Sequence, residues 1–141
     1  VDSLTGVTAE SDLRTLLSDL RPELRPGRYV FATVPDAVVP AGASPVVTVG
    51  ETEGLTLVLP EPEAVAAGLS HSYPAGWITL RVHSALDAVG LTAAISLALT
   101  DAGISCNVVA GFHHDHLFVP HDRAAEAVTV LERLAAESDA G

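Results

Sequence analysis

Basic side chains are scarce. Seven of them face 18 acidic ones, leaving the 141-residue chain at a net charge of -11. A phosphate backbone is held by lysine and arginine with release of counterions, so this shortage argues against nucleic acid as a partner. It also disfavours an anionic membrane surface. No apolar run reaches the roughly 18 to 20 residues that span a bilayer, and the N-terminal stretch has neither a basic flank nor an apolar signal core. A soluble, cytoplasmic protein is expected. Cysteine occurs once, at Cys106, so an internal disulfide is excluded, and its place in a predicted strand suits a small buried hydrophobe better than a redox centre. There is no HExxH helix, no CxxC pair and no glycine-rich loop with a Lys-Ser or Lys-Thr tail. No serine or cysteine has an evident histidine and acid partner, so neither catalysis nor a cofactor is expected.

What the chain does have is apolar mass. Hydrophobic residues make up 48% and charged residues 18%, enough burial to offset the entropy of ordering. The length suits one ordinary domain, or two very small ones that share a core.

Leu13, Leu16, Leu17, Leu20 and Leu24 recur at the spacing of one helical face, with Glu10 and Asp12 at the positive end of the dipole, so a first helix is expected over about residues 9 to 20. Pro22 and Pro26 end it. Arg28 to Val34 has the β-branched and aromatic content of a strand covered on both faces. Val46 to Val49 and Leu55 to Leu59, joined by a turn with Gly50 and Gly54 at its ends, read as a hairpin. Pro60 to Leu69 reads as a short helix. Ser70 to Gly76 has the composition of a linker and divides the chain into units of residues 1–70 and 71–141.

In the second unit Ile78, Leu80 and Val82 alternate with Trp77, Thr79, Arg81 and His83, the signature of a strand with one buried face. Ser84 to Asp87 fits a capping box, which starts a helix at about residue 85 and carries it to Ala102. That helix has two apolar sides, Leu86, Val89, Ala93 and Leu97 on one and Leu91, Ile95, Ala98 and Ala102 on the other, and both need cover. Strand, turn and strand follow from Ile104 to Pro120, then a last amphipathic helix from His121. The second unit is a βαββα series and the first αβββα, each one strand short of the ferredoxin-like plan. Open edges invite aggregation, so the two units are expected to complete one another by pairing or exchanging strands.

At this point the chain resembles the small bacterial tandem ACT-domain proteins, regulatory amino-acid-binding modules. The first half resembles the N-terminal member through Gly27-Arg-Tyr-Val-Phe-Ala-Thr-Val34 and Glu53-Gly-Leu-Thr-Leu-Val-Leu59. The second resembles the C-terminal member through Val89-Gly-Leu-Thr-Ala93, Ala102-Gly-Ile-Ser105 and Asp115-His-Leu-Phe-Val-Pro120. The resemblance implies an α+β tandem of ferredoxin-like ACT units, antiparallel sheets with helices on one face, working as a homodimer. It implies a non-catalytic site for an amino acid or similar zwitterion between paired units. Carried over by position, the ligand contacts fall on Ser84, Asp87, Val89, Gly90 and Leu91, and on Ala110, Gly111, Phe112 and Asp115.

Helix amides can hold a carboxylate and an aspartate can hold an ammonium, so the chemistry is self-consistent. Asp87 has a simpler reading as a helix cap, and Asp115 as a turn former. The turn from His113 to His116 leaves a metal-dependent enzyme as the alternative. On a strand His114 and His116 would converge while His113 faced away. A purely structural interaction module is the third reading.

Overall fold

The computed structural model describes residues 9–140; the expectations for residues 1–8 and for the side chains of Glu10 and Asp12 lie outside the described residues. Helix α1, Ala9–Ser18, seats Leu13, Leu16 and Leu17 on the core, with buried Leu20 just beyond its end. Strand β1 then runs from Pro22 to Val34. It begins six residues earlier than its β-branched content indicates, because both prolines sit where a missing amide hydrogen does little harm. Pro22 is the first residue, and Pro26 lies within the register shift between Arg25 and Tyr29. Leu24, expected on the helix face, is a strand residue opposite Ile78.

The hairpin forms from β2, Val47–Glu51, and β3, Gly54–Pro60. Gly54 is required there: its φ is +148° and a Cβ would stand 2.7 Å from the Val34 carbonyl oxygen. Helix α2, Glu61–Ala66, is short and carries proline in its first turn. Strand β4, His71–Leu80, comes next, then helix α3, Leu91–Asp101, strands β5, Asn107–Ala110, and β6, Asp115–Pro120. A 3-10 turn over His121–Arg123 leads into helix α4, Ala124–Ala140.

All six strands join one antiparallel sheet in the order β2-β3-β1-β4-β6-β5. The stretch Ser70 to Gly76, linker-like in composition, is mostly strand: His71 to Ala75 pair with β1, and Ala75 is fully buried opposite Tyr29. Two long strands therefore serve two units each. Tyr29 to Val34 pair with β3, while Pro22 to Arg25 pair with Leu80 to Trp77. The first unit reads β2-β3-β1-β4 and the second β5-β6-β4-β1, so each borrows its fourth strand from the other. The fold is α+β and ferredoxin-like.

Helices cover one face. Under α1, α3 and α4 lie Ile78, Leu80, Val82, Leu117 and Val119; under α2 lie Val30, Ala32, Val34, Leu57 and Leu59. Although α1 opens the chain, it packs into the core built on β4 and β6, against α4. The other face carries Tyr29, Val58, Ala75 and Phe118, with Phe31, Tyr73 and Trp77 around them. The rings meet edge-on or offset at centroid distances of 5.3 Å for Tyr29–Trp77 and 5.9 Å for Phe31–Phe118.

Gly76 lies beneath the first turn of α4, and a Cβ there would stand 2.6 Å from that of Ala124. Gly76→Ala is expected to cost about 1–3 kcal/mol by overpacking. Gly50→Ala, where a Cβ meets nothing within 4 Å, should stay within about 0.5 kcal/mol of the parent. Urea denaturation of the two variants checks the contrast.

Candidate functional site

Beyond β4 the chain does not enter a helix at residue 85. Residues 84–90 form a loop with one turn, Ala88 N–H donating to the Ala85 oxygen at 3.0 Å, and α3 starts only at Leu91. The reason is Gly90. It holds φ +99° as the helix N-cap, and a Cβ there would press on Leu13 of α1 at 3.1 Å, so the backbone breaks where α1 crosses it. The capping box from Ser84 to Asp87 does not form: α3 has no side-chain cap and Asp87 is exposed in the loop. With the first helical bond made by Ala94 N–H to the Gly90 oxygen, the amides of residues 91–93 have no intrahelical acceptor.

Across from this helix start stands the β5–β6 turn. Gly111 N–H donates to the His114 oxygen at 2.9 Å, and a Cβ at Gly111 would sit 2.7 Å from that same oxygen, so only glycine closes the turn. The turn sets Asp115 opposite Ala110 at the start of β6. Together the loop, the α3 start and the turn line a depression of about 60 Å³. Of the residues carried over by family resemblance, Ser84, Leu91, Ala110, Gly111 and Asp115 line it, joined by Ala85, Leu86, Ala88 and Thr92. Asp87, Val89, Gly90 and Phe112 do not; Gly90 sets the helix start, while Val89 and Phe112 point outward, 88% and 77% exposed.

Asp115 is the depression's ionisable group. Burial raises its carboxyl above the ordinary range, and the neighbouring His116 and His114 pull it back only in part. A cation placed beside it would restore the charged form.

The histidines separate. His113 and His114 precede the strand and lie in the turn, so strand alternation does not govern them. Their rings gather with that of His83 at centroid distances of 6.2–6.4 Å. His114 Nδ1 lies 3.4 Å from the Val82 oxygen, and His116 turns to the aromatic face, its Nδ1 3.1 Å from Trp77 Nε1. Among the described residues no three His, Cys, Asp or Glu side chains are placed to hold a metal ion. Cys106 is partly buried against the core and its thiol is pushed up to about 11 by burial, which leaves it protonated and a poor nucleophile. Sequence reasoning missed the row Arg25, Thr79, Trp77 and His116, because Arg25 lies in a proline-flanked stretch with no strand signal.

Two ACT domain models match the sequence, over residues 8–76 and 72–133. The chain is a tandem ACT-domain protein. This ACT protein is similar to a Vibrio cholerae protein of unknown function, a possible transport protein, at 44% identity over 90% of this chain and 98% of that one, with a TM-score of 0.80. An Agrobacterium tumefaciens protein matches at 20% identity over 81% and 87%, TM-score 0.67. The ligand-free regulatory subunit of aspartate kinase from Thermus thermophilus shares the fold at 8% identity over 80% and 95%, TM-score 0.58. No curated protein matches the sequence. No helix of the described residues is long and apolar enough to cross a membrane.

In this ACT protein the folded state binds the Asp115 proton more tightly than the unfolded chain does. Its contribution is therefore present in acid and lost as pH rises through the carboxylate range. Asp115→Asn is expected to match the parent's thermal midpoint in acid and exceed it near neutrality by about 1–3 °C, the group being only partly buried. Melts across pH measure this; an equal offset at every pH would remove burial of charge as the cause.

Proposed function

We propose that the protein is a cytoplasmic, non-catalytic regulatory ACT protein that binds an amino acid at the α3 start and works as a homodimer. The supporting observation is one depression lined by Leu91 and Thr92 at the open α3 terminus and by Asp115. Unpaired helix amides suit a carboxylate, and an aspartate suits an ammonium. An α-amino acid carries both a few ångströms apart. The two units, residues 1–70 and 71–141, would each present an ACT strand-to-helix region, but α3 follows only the second.

The dimer is supported by what the fold leaves bare. One side of α3 packs through Leu91, Ile95 and Leu99, while Leu86, Val89, Leu97 and Phe112 are 61–88% exposed. These bared apolar side chains, on α3, on the loop before it and in the β5–β6 turn, are what a second copy would cover. A depression of about 60 Å³ is also far below the roughly 300 Å³ of an ordinary ligand site. A partner's surface would supply the missing wall. The aspartate kinase regulatory subunit shares this fold, which is in keeping with a regulatory role.

Calorimetric titration with each common amino acid tests the binding. One or a few should bind saturably, and Asp115→Ala should weaken that binding by roughly tenfold or more through loss of the ammonium partner. Absence of heat with every amino acid, in a protein that sediments as a dimer, would instead favour the structural interaction module. For the dimer, Val89→Asp places a charge on the bared surface and should halve the sedimenting mass without lowering helix content. An unchanged mass would move the interface elsewhere.

A further inference from the structure

The aromatic face of the sheet, opposite the helices, holds a second recess. The sheet curls so that its two edge strands approach across this face. Between them lies a space of about 300 Å³ walled by Val46 and Val47 from one edge and Val109 from the other, over Trp77, Phe118 and His116. That volume reaches the range of small-molecule sites.

His116 supplies its polar end. Trp77 Nε1–H donates to His116 Nδ1 at 3.1 Å. An indole nitrogen only donates, so Nδ1 is the unprotonated nitrogen and the proton of the neutral ring sits on Nε2. Thr79, 1% exposed, stands 3.2 Å from the same Nδ1 and accepts from Arg25 Nη1 at 3.3 Å, leaving its hydroxyl hydrogen for the imidazole. Burial keeps the ring neutral, aided by the charges of His114, Arg25 and Arg81 and opposed by Asp115. Among the described residues Nε2 has no acceptor, and it lies against Gly111, where a Cβ would come within 3.2 Å.

An N–H donor without a partner thus ends an apolar recess, with the Arg25 guanidinium 4.2 Å over the adjoining Trp77 ring. The field favours an anion, and the recess offers an ammonium no carboxylate. We propose that this recess is a second ligand site, for a small apolar monocarboxylate whose carboxylate accepts from His116 Nε2–H while its hydrocarbon lies on Trp77 and Phe118. It does not depend on the amino-acid reading, and it selects against zwitterions.

Trp77 is the protein's one tryptophan, so its emission reports on this recess directly. Isovalerate is the probe; valine, the same skeleton with an ammonium added, and isoamyl alcohol, which lacks the charge, are the comparisons. Titration of the full chain near neutral pH should give a saturable change with isovalerate alone. His116→Leu should weaken it by roughly tenfold or more, as should Val47→Phe, which fills the recess from the edge strand and leaves the imidazole network alone. The proposal is overturned by absence of a saturable response, as a second copy seated on this face would produce. It is equally overturned by equal responses to the three compounds, or by an unweakened response in a folded Val47→Phe protein.

Discussion

Two long antiparallel strands, β1 and β4, run past each other through the middle of the sheet, and each is used twice. The early residues of β1 close the unit built on β4 and β6, while its later residues form the inner strand of the unit built on β3. β4 does the reverse, with Ala75 pairing with both Tyr29 and Pro120. Neither unit has a complete four-stranded sheet without the other, and neither inner edge is left open. The arrangement accounts for a small acidic chain folding as one body: the interface between its units is a backbone ladder, and on the aromatic face one core cluster of Tyr29, Val58, Ala75 and Phe118 spans it.

The shared strands also set where chemistry is possible. On the helix face β4 hands the chain to the 84–90 loop, and α1 crosses at Gly90, so the α3 terminus opens toward the β5–β6 turn. The depression of Ser84, Leu91 and Asp115 forms there. On the opposite face the same strand presents Trp77 and Thr79, and β6 presents His116 and Phe118 beside them. Asp115 and His116 are neighbours in sequence, but strand alternation sends them to different faces, one into the depression and one into the aromatic recess. Each perturbs the other's proton affinity, so charge at one site is felt at the other through a single residue step.

The alternation of Ile78 and Leu80 against Trp77 and Thr79 reveals the second half of β4 from sequence, since one face there is buried by helices. Its first half hides. His-Ser-Tyr-Pro-Ala-Gly has the composition of a linker, and its strand state comes from pairing with β1, including Tyr73 at φ +59° beside a register shift. Pro22 and Pro26 mask the start of β1 for the same reason: local propensity argues against a strand that tertiary pairing imposes. At the site, Asp115 reads as a turn former because that chemistry is local, whereas Gly111 enters only through the family resemblance. Ser84 to Asp87 spells a capping box in sequence, yet the contact of Leu13 with Gly90 delays the helix, and nothing near residue 84 encodes that contact. The Arg25–Thr79–His116 row joins residues far apart in the chain, and only the sheet register brings them together.

If each unit depends on the other's strand, neither can open alone. Native-state hydrogen exchange measures this directly, followed at the amides of Phe31 and Leu59 in one unit and of Ile78 and Leu117 in the other. The account predicts that all four exchange through a single global opening, with the same free energy and the same dependence on denaturant. A lower-energy opening that releases Phe31 and Leu59 while Ile78 and Leu117 stay protected, or the reverse, would contradict it.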